Sequence, residues 1–141
     1  MSKDKFGHHY DEFKRPFLFV TFHHKGKRSD MYLGILDTGA DKIMIPKTLA
    51  DNLGLSLEPA PRPFGTAGGL KKGFIAKIEK VQFGRVIFTD FQNVEVGVLD
   101  DEIPILIGRK PFFEEFVVVI KEREKYLECI RYDAYEKKKK K

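Results

Sequence analysis

The sequence predicts a mainly β fold in a single domain, because short apolar stretches alternate with polar turns along most of its 141 residues. Hydrophobic residues make up 42% of the chain and include 13 phenylalanines, which is enough for a buried core. The chain contains no internal repeat. We therefore expect one β domain over residues 16–135, with one or two short helices, between a loose leader at 1–15 and a lysine-rich tail at 136–141.

The first two predicted strands lead into an acidic turn. Phe17–Phe22 is rich in aromatic and β-branched residues, which suit a strand. A polar segment containing a glycine, residues 23–30, predicts a turn. Met31–Leu36 is the next apolar stretch, and it runs directly into Asp37-Thr38-Gly39-Ala40-Asp41.

The middle of the chain predicts a short helix and a hairpin. After a short apolar stretch at residues 43–45, Pro46–Gly54 begins with proline, contains alanine and leucine, and ends with glycine, as short helices do. Three prolines between Glu58 and Pro63 predict a loop. The segment Phe64–Gly73 contains four glycines and is followed by the apolar stretch Phe74–Ile78, so we expect a glycine-rich hairpin with a mobile tip.

The remaining segments predict more strands and a closing hairpin. The expected elements are strands at Val86–Phe88, Val94–Val96 and Ile105–Ile107, a short helix at Pro111–Phe116, and a hairpin that joins residues 116–120 to residues 126–132.

The basic charge of the chain resides in its tail. Lys and Arg total 26 against 21 Asp and Glu, and the five lysines Lys137–Lys141 account for the whole excess of +5. We expect this tail to be a solvated, disordered end, so nucleic acid is an unlikely partner. No apolar stretch approaches the roughly 18–20 residues that span a bilayer, and residues 1–10 lack a signal-peptide core. These features predict a soluble, cytoplasmic protein with no membrane partner.

The sequence gives little support for a disulfide, a metal site or the motifs of other enzyme classes. Cys129 is the single cysteine and cannot form an internal disulfide. The adjacent pairs His8-His9 and His23-His24 suit a shared metal poorly, because neighbouring side chains on a strand point to opposite faces. Motifs for a phosphate-binding loop, a serine hydrolase or a zinc protease are missing. We expect neither a metal nor a cofactor.

The candidate for catalysis is Asp37, which follows an apolar strand directly. Burial of a carboxylate beside apolar side chains is costly unless hydrogen bonds offset it. Gly39 permits a tight turn with its amide facing the acid, and the hydroxyl of Thr38 can bond neighbouring backbone. Asp-Thr-Gly is also an ordinary composition for a surface turn, but the apolar residues on both sides argue against that alternative.

Three segments together resemble one protein family. The stretch Ile35–Asp41 resembles the active-site loop of retropepsins, the retroviral-type aspartic proteases. Ile105–Arg109 resembles their second signature, an apolar strand that ends in Gly-Arg before a short helix. The glycine-rich segment Gly65–Gly73 lies between them, where the family has its substrate-covering flap. The resemblance spans residues 16–116, and the C-terminal extension is more similar to cellular and microbial members than to viral ones.

The resemblance implies a single-lobe acid protease barrel that acts as a homodimer on extended polypeptide. It assigns catalysis to Asp37 and support of the active site to Thr38, Gly39 and Arg109. Thr38 would interlock with its twin across the dimer, and Arg109 would pair with Asp41. The residues implied in substrate binding are Ile35 and Leu106 as apolar subsites, Gly39 and Asp41 as backbone contacts, and Gly68, Gly69 and Leu70 as the flap tip.

The chemistry implied by this resemblance requires two carboxylates. Two acids at contact distance share one proton, as in aspartic proteases generally, so that one can activate water while the other donates a proton. This chain has one Asp-Thr-Gly and is too short for two lobes, so a symmetric homodimer would supply the second acid.

Two other functions remain open at this point. The same fold could serve as a non-proteolytic dimerisation or peptide-binding module, because fold alone does not establish function. The lysine tail could instead make the chain a nucleic-acid-associated protein.

Overall fold

The computed structural model describes residues 4–66, 69–84, 89–100 and 102–139. Within these ranges the strands are β1 (Lys5–His9), β2 (Phe17–His24), β3 (Lys27–Arg28), β4 (Tyr32–Leu36), β5 (Met44–Pro46), β6 (Glu58–Pro59), β7 (Phe64–Thr66), β8 (Gly69–Lys71), β9 (Phe74–Phe83), β10 (Thr89–Leu99), β11 (Ile105–Ile107), β12 (Phe116–Lys121) and β13 (Tyr126–Arg131). The helices are α1 (Lys47–Leu53), α2 (Phe112–Glu115) and α3 (Tyr132–Lys139).

Eight of the strands form one sheet that closes on itself. Their order is β3-β2-β4-β11-β5-β10-β9-β6, and β2 also pairs antiparallel with β9. This additional pairing joins β2, β4, β11, β5, β10 and β9 into a barrel. The predicted mainly β fold, a single-lobe barrel with few helices, is confirmed.

The barrel encloses the main hydrophobic core. In β2 the buried residues alternate, so that Leu18, Val20 and Phe22 face inward with no exposed area. Ile78 and Val96 contribute to the same core from β9 and β10. Aromatic and β-branched side chains fit such a pleated surface, which explains why these stretches of the sequence form barrel strands and not helices.

Helix α1 has the boundaries that the sequence predicts. Pro46 is its N-cap, and Gly54 ends it in the left-handed conformation with φ of 71°. Leu49, Ala50 and Leu53 form its buried face. The predicted helix at Pro111–Phe116 is also present as the single turn α2.

A second sheet joins the two ends of the chain, in the order β1-β13-β12. The hairpin of β12 and β13 agrees with the sequence prediction, but β1 occupies residues that we expected to form a loose leader. The backbone of β1 is paired along its whole length with β13. Phe6 contacts the edges of the Phe112 and Phe116 rings, and Tyr10 is buried. Apolar burial therefore holds this segment, although its sequence is mostly polar.

The chain continues as helix α3 where the sequence predicts a strand to Tyr132 and then a disordered tail. The strand ends at Arg131, and the helix extends to Lys139. Ala134, Glu136 and the lysines that follow are good helix formers, which accounts for the difference.

Two predictions fall outside the described residues, namely the strand at Val86–Phe88 and the hairpin residue Gly68. In the part of the chain that the structure describes, no helix is long and apolar enough to cross a membrane.

Candidate active site

Asp37 lies at the end of β4, next to the strand that carries the Gly-Arg motif. Strands β4 and β11 are parallel, with Ile35 opposite Leu106 and Leu36 opposite Ile107. The N–H of Asp37 donates to the carbonyl oxygen of Ile107 at 3.0 Å, so the ladder continues into the acidic turn. The segments of Asp37 and Ile107, 70 residues apart in sequence, thus meet at one end of the barrel.

The Asp-Thr-Gly turn holds the Asp37 carboxylate through its own backbone. The N–H of Gly39 donates to Oδ1 of Asp37 at 2.8 Å, and the N–H of Ala40 donates to the Asp37 carbonyl at 3.1 Å. Asp37 is partly buried, Thr38 and Gly39 are exposed, and Ala40 is fully buried. The turn therefore fixes the acid at its base and presents Thr38 and Gly39 to solvent.

Gly108 allows the second motif to approach the turn closely. The N–H of Arg109 donates to the carbonyl oxygen of Ala40 at 2.9 Å. A Cβ atom on Gly108 would lie 2.6 Å from that same oxygen and still closer to the carbonyl oxygen of Lys42. Only glycine fits here, a role that sequence reasoning did not assign. The signal was a glycine at the point where an apolar strand meets an arginine.

Asp41 connects the turn to the Gly-Arg motif and to the glycine-rich hairpin. Its carboxylate forms an ion pair with Arg109 and accepts the N–H of Gly65 at 3.2 Å. The N–H of Asp41 in turn donates to the Gly65 carbonyl oxygen at 3.3 Å. The hydrogen bond from Gly65, followed by the one from Arg109, lowers the pKa of Asp41 below its ordinary value.

The Asp41–Arg109 pair is more exposed than a buried brace would be. The exposed fraction is 43% for the Asp41 side chain and 59% for that of Arg109. Solvent screens such a pair, so it stabilises a single chain far less than a buried ion pair of the same geometry.

The glycine-rich hairpin is formed by β7 and β8. Phe64 lies opposite Lys71, and Gly65 lies opposite Leu70. Phe64 is buried at the base, whereas Leu70 has 76% of its area exposed near the tip. Gly69 adopts φ of 103°, which favours glycine. An apolar anchor thus holds a hairpin in which Gly69 and Leu70 face solvent.

Ile35 and Leu106 lie side by side across the β4–β11 ladder, and both are partly buried. Leu106 packs against a second, small hydrophobic cluster formed by Ala40, Met44, Phe64 and Leu99. This cluster includes Ala40 of the acidic turn and Phe64 of the hairpin. Sequence reasoning missed Phe64 and Leu99, because a single apolar residue beside a loop gives no periodic signal.

The structure therefore brings Ile35, Asp37, Thr38, Gly39, Asp41, Leu106 and Arg109 to one end of the barrel. Gly69 and Leu70 lie on the hairpin that Asp41 anchors. Among the residues described, no group of three or more His, Cys, Asp or Glu side chains could hold a metal ion.

Comparison with known proteins gives two kinds of match. A family model described as aspartyl protease matches residues 20–110, which include both motifs and the hairpin. No curated protein matched the chain. A search of solved structures found a retropepsin-like aspartic protease from Rickettsia conorii, with a TM-score of 0.64 and 20% identity, over 88% of this chain and 97% of that one.

The same search found EIAV protease complexed with the inhibitor HBY-793, with a TM-score of 0.53 and 20% identity. That match covers 74% of this chain and 91% of the viral one. At this level of identity, both likenesses establish a shared retropepsin-like fold.

Proposed function

The chain belongs to the aspartyl protease family, and from this premise we propose that it is an endopeptidase whose active site forms when two copies pair. One observation carries the proposal. Asp37 lies on a backbone-fixed turn at the end of a barrel strand, within the segment that the family model matches. Each chain supplies one such acid.

In the proposed reaction, the two Asp37 carboxyl groups of the dimer share one proton. The ionised member takes a proton from a water molecule, and the resulting hydroxide attacks the carbonyl carbon of the scissile peptide bond. The protonated member donates its proton to the carbonyl oxygen. The carboxyl group that took the proton from water then donates it to the amide nitrogen, while the other carboxylate takes a proton from one hydroxyl of the tetrahedral diol. The carbon–nitrogen bond breaks, and the pair is again singly protonated.

The remaining site residues have supporting roles in this proposal. Thr38 is exposed at the tip of the turn, where it is available to the same residue of a second chain. Arg109 holds Asp41, and through it the base of the hairpin. These contacts support a rigid loop on which the acid keeps its orientation.

We propose that the substrate is an extended polypeptide that lies between the acidic turn and the glycine-rich hairpin. Gly39 and Asp41 would bind its backbone from the turn, and Gly68, Gly69 and Leu70 would cover it as a flap. Ile35 and Leu106 would contact its apolar side chains. Two features support this arrangement: the exposure of Gly69 and Leu70 on the hairpin and the apolar cluster that includes Phe64 at its base.

The outer edge of β12 supports pairing of two chains. Within the described residues, β12 pairs with β13 on one side only. Its residues are apolar from Phe116 to Ile120, and Ile120 has 48% of its area exposed. Lys121 is the only charged residue of the strand. An apolar edge strand whose single charge lies at its end tends to associate with another strand.

Hydrolysis of a denatured protein by the purified dimer, from acid to alkaline pH, tests the proposed activity. Activity should have an optimum on the acid side of neutrality, because the second proton leaves the pair as the pH rises. Asp37→Asn should remove it while the protein still folds. Equal activity in this variant, or a rate that climbs steadily into alkaline pH, would contradict the proposal. A stable dimer without hydrolysis would favour the binding-module alternative.

A further inference from the structure

A cavity of about 200 Å³ opens beside the candidate active site, with Lys42, Asn93, Glu95 and Lys110 among the residues that line it. We propose that this cavity, here called the lysine pocket, binds an acidic side chain (Asp or Glu) of the peptide substrate. The inference rests on the proposed function, because it names a class of substrate for the same site.

The lysine pocket adjoins the residues that position the site. Lys42 follows Asp41 and Lys110 follows Arg109, and a parallel β-bridge places the two lysines opposite each other. The N–H of Lys110 donates to the carbonyl oxygen of Asp41 at 3.1 Å. The backbone contact that joins the acidic turn to the Gly-Arg motif therefore also holds both lysines at one pocket.

Lys42 also connects the pocket to the glycine-rich hairpin. Its Nζ lies 5.6 Å from the centre of the Phe64 ring, at the base of the hairpin. A peptide that runs between the turn and the hairpin would leave the cleft past this point. One of its side chains would then reach the lysine pocket.

Positive charge exceeds negative charge around the pocket. The Nζ of Lys42 lies 2.7 Å from Oε2 of Glu95, and Lys77 is directly opposite Glu95 in the β9–β10 ladder. The hydrogen bond from Lys42 is the main cause of a lowered pKa of Glu95, and the charges of Lys77 and Lys110 lower this pKa further. One carboxylate cannot neutralise three ammonium groups, so a second carboxylate would be attracted here.

The walls of the pocket suit a carboxylate on a short stem. Gln92 and Asn93 carry exposed side-chain amides that can donate hydrogen bonds, and Phe91 and Pro111 offer apolar surface for methylene groups. Asn93 lines the pocket in the left-handed conformation, with φ of 51°, which asparagine tolerates better than most residues. An acidic side chain would thus meet both charge and donors.

Binding of peptide pools to the Asp37→Asn protein tests the inference without cleavage. Fluorescently labelled octapeptide pools, capped at both ends, carry Glu, Gln or Lys at one fixed position and uncharged residues elsewhere. Anisotropy should show tighter binding of the Glu pool than of the Gln pool at one position, by about 2- to 5-fold for each lysine engaged. The difference should shrink as salt is added.

Further substitutions in the Asp37→Asn protein test whether the lysine pocket causes this preference. Lys42→Gln combined with Lys110→Gln should abolish the preference for Glu over Gln, and Glu95→Gln should increase it. The matched control combines Lys27→Gln with Lys47→Gln, which removes the same charge from residues outside the pocket and should leave the preference unchanged. If the first double variant fails to fold, Lys110→Gln alone should still reduce the preference.

Two results would overturn the lysine pocket: equal affinity for Glu and Gln pools at every position, or a preference that survives the loss of both lysines. Failure of the proposed protease function is a separate result. If the protease proposal is wrong, the wild-type protein will cleave no denatured substrate. The binding experiment uses no cleavage, so it still decides whether the pocket selects acidic peptides.

Discussion

Asp41 links three backbone segments through a single residue. It is part of the acidic turn, its carboxylate binds Arg109, and it exchanges hydrogen bonds in both directions with Gly65 at the hairpin base. These contacts fix the base of the hairpin relative to the turn that carries Asp37. Loss of Asp41 should therefore disturb both parts of the site.

We expect Asp41→Asn to destabilise the protein in a pH-dependent manner. The fold lowers the pKa of Asp41 from 3.8, so its ionised form contributes stability above that value, and the contribution is lost as the pH falls through the folded-state pKa. The difference in free energy of unfolding between wild type and variant should be largest at neutral pH and smallest in strong acid. Urea titrations at several pH values measure it, and a difference that grows in acid would contradict this account.

Removal of Arg109 should cost the single chain only a modest amount of stability. Because the pair is exposed to solvent and Gly65 still binds Asp41, we expect Arg109→Ala to lower the free energy of unfolding by about 0.5–1 kcal/mol. Activity should fall as well, since the turn loses a brace. Unchanged stability and activity would show that Arg109 does not support the site.

Gly108→Ala should be far more damaging, because its Cβ would collide with the carbonyl oxygens of Ala40 and Lys42. We expect a loss of about 3 kcal/mol or more, at the upper end of overpacking costs. Gly65→Ala is a suitable comparison, because the nearest atom to its Cβ would be a carboxylate oxygen of Asp41 at 3.3 Å. Gly108→Ala should have a much lower melting temperature than Gly65→Ala. Equal melting temperatures would show that Gly108 is not required for the close approach.

At the scale of elements, strand β1 makes the N-terminus part of the domain. Tyr10 is fully buried, its hydroxyl donates to Oε1 of Glu122 at 2.7 Å, and its N–H donates to the carbonyl oxygen of Lys125 at 2.8 Å. His8 donates from Nε2 to the carbonyl oxygen of Phe17 at 2.8 Å, if that nitrogen carries the proton. The segment is thus tied both to the β12–β13 turn and to the barrel.

Deletion of residues 1–10 should therefore destabilise the whole domain. A change of 1 kcal/mol shifts the melting temperature of domains of this size by roughly 2–8 °C, and we expect a decrease of more than about 10 °C. Calorimetry of the shortened and full-length chains measures this decrease. An unchanged melting temperature would mean that the N-terminal segment is the loose leader expected from its sequence.

Deletion of Lys137–Lys141 is the matched truncation at the other end, and it should leave folding, pairing and cleavage intact. The sequence shows that these lysines carry the whole excess of positive charge, and Lys137 is exposed on α3. Size-exclusion chromatography and the activity assay test this expectation. Loss of the dimer would assign the tail to the interface between chains.

The elements that the sequence predicted well have local signals. The predicted strand Phe17–Phe22 is rich in aromatic and β-branched residues, and Pro46 and Gly54 mark the ends of α1. Strand β1 was missed because two or three apolar side chains suffice to dock it, and its partner β13 is more than 100 residues away in the sequence. The role of Gly108 and the lysine pocket likewise depend on segments that only the folded chain brings together.

At the scale of the whole molecule, the proposed chemistry needs more than one chain. A single copy presents one Asp37 on a turn whose neighbours Thr38 and Gly39 face solvent. Two-fold pairing would bring two such turns together and would supply the second carboxyl group. In this proposal, neither chain can hydrolyse a peptide bond alone.

Subunit mixing between wild type and Asp37→Asn tests that claim most directly. At equal amounts and with free exchange, random pairing leaves about one quarter of the dimers fully wild type. Hybrids with a single acid should be nearly inactive, so activity should fall to about half that of an unmixed sample with the same amount of wild-type chain. If exchange is verified independently and activity instead tracks the amount of wild-type chain, each subunit acts alone and the shared active site is wrong.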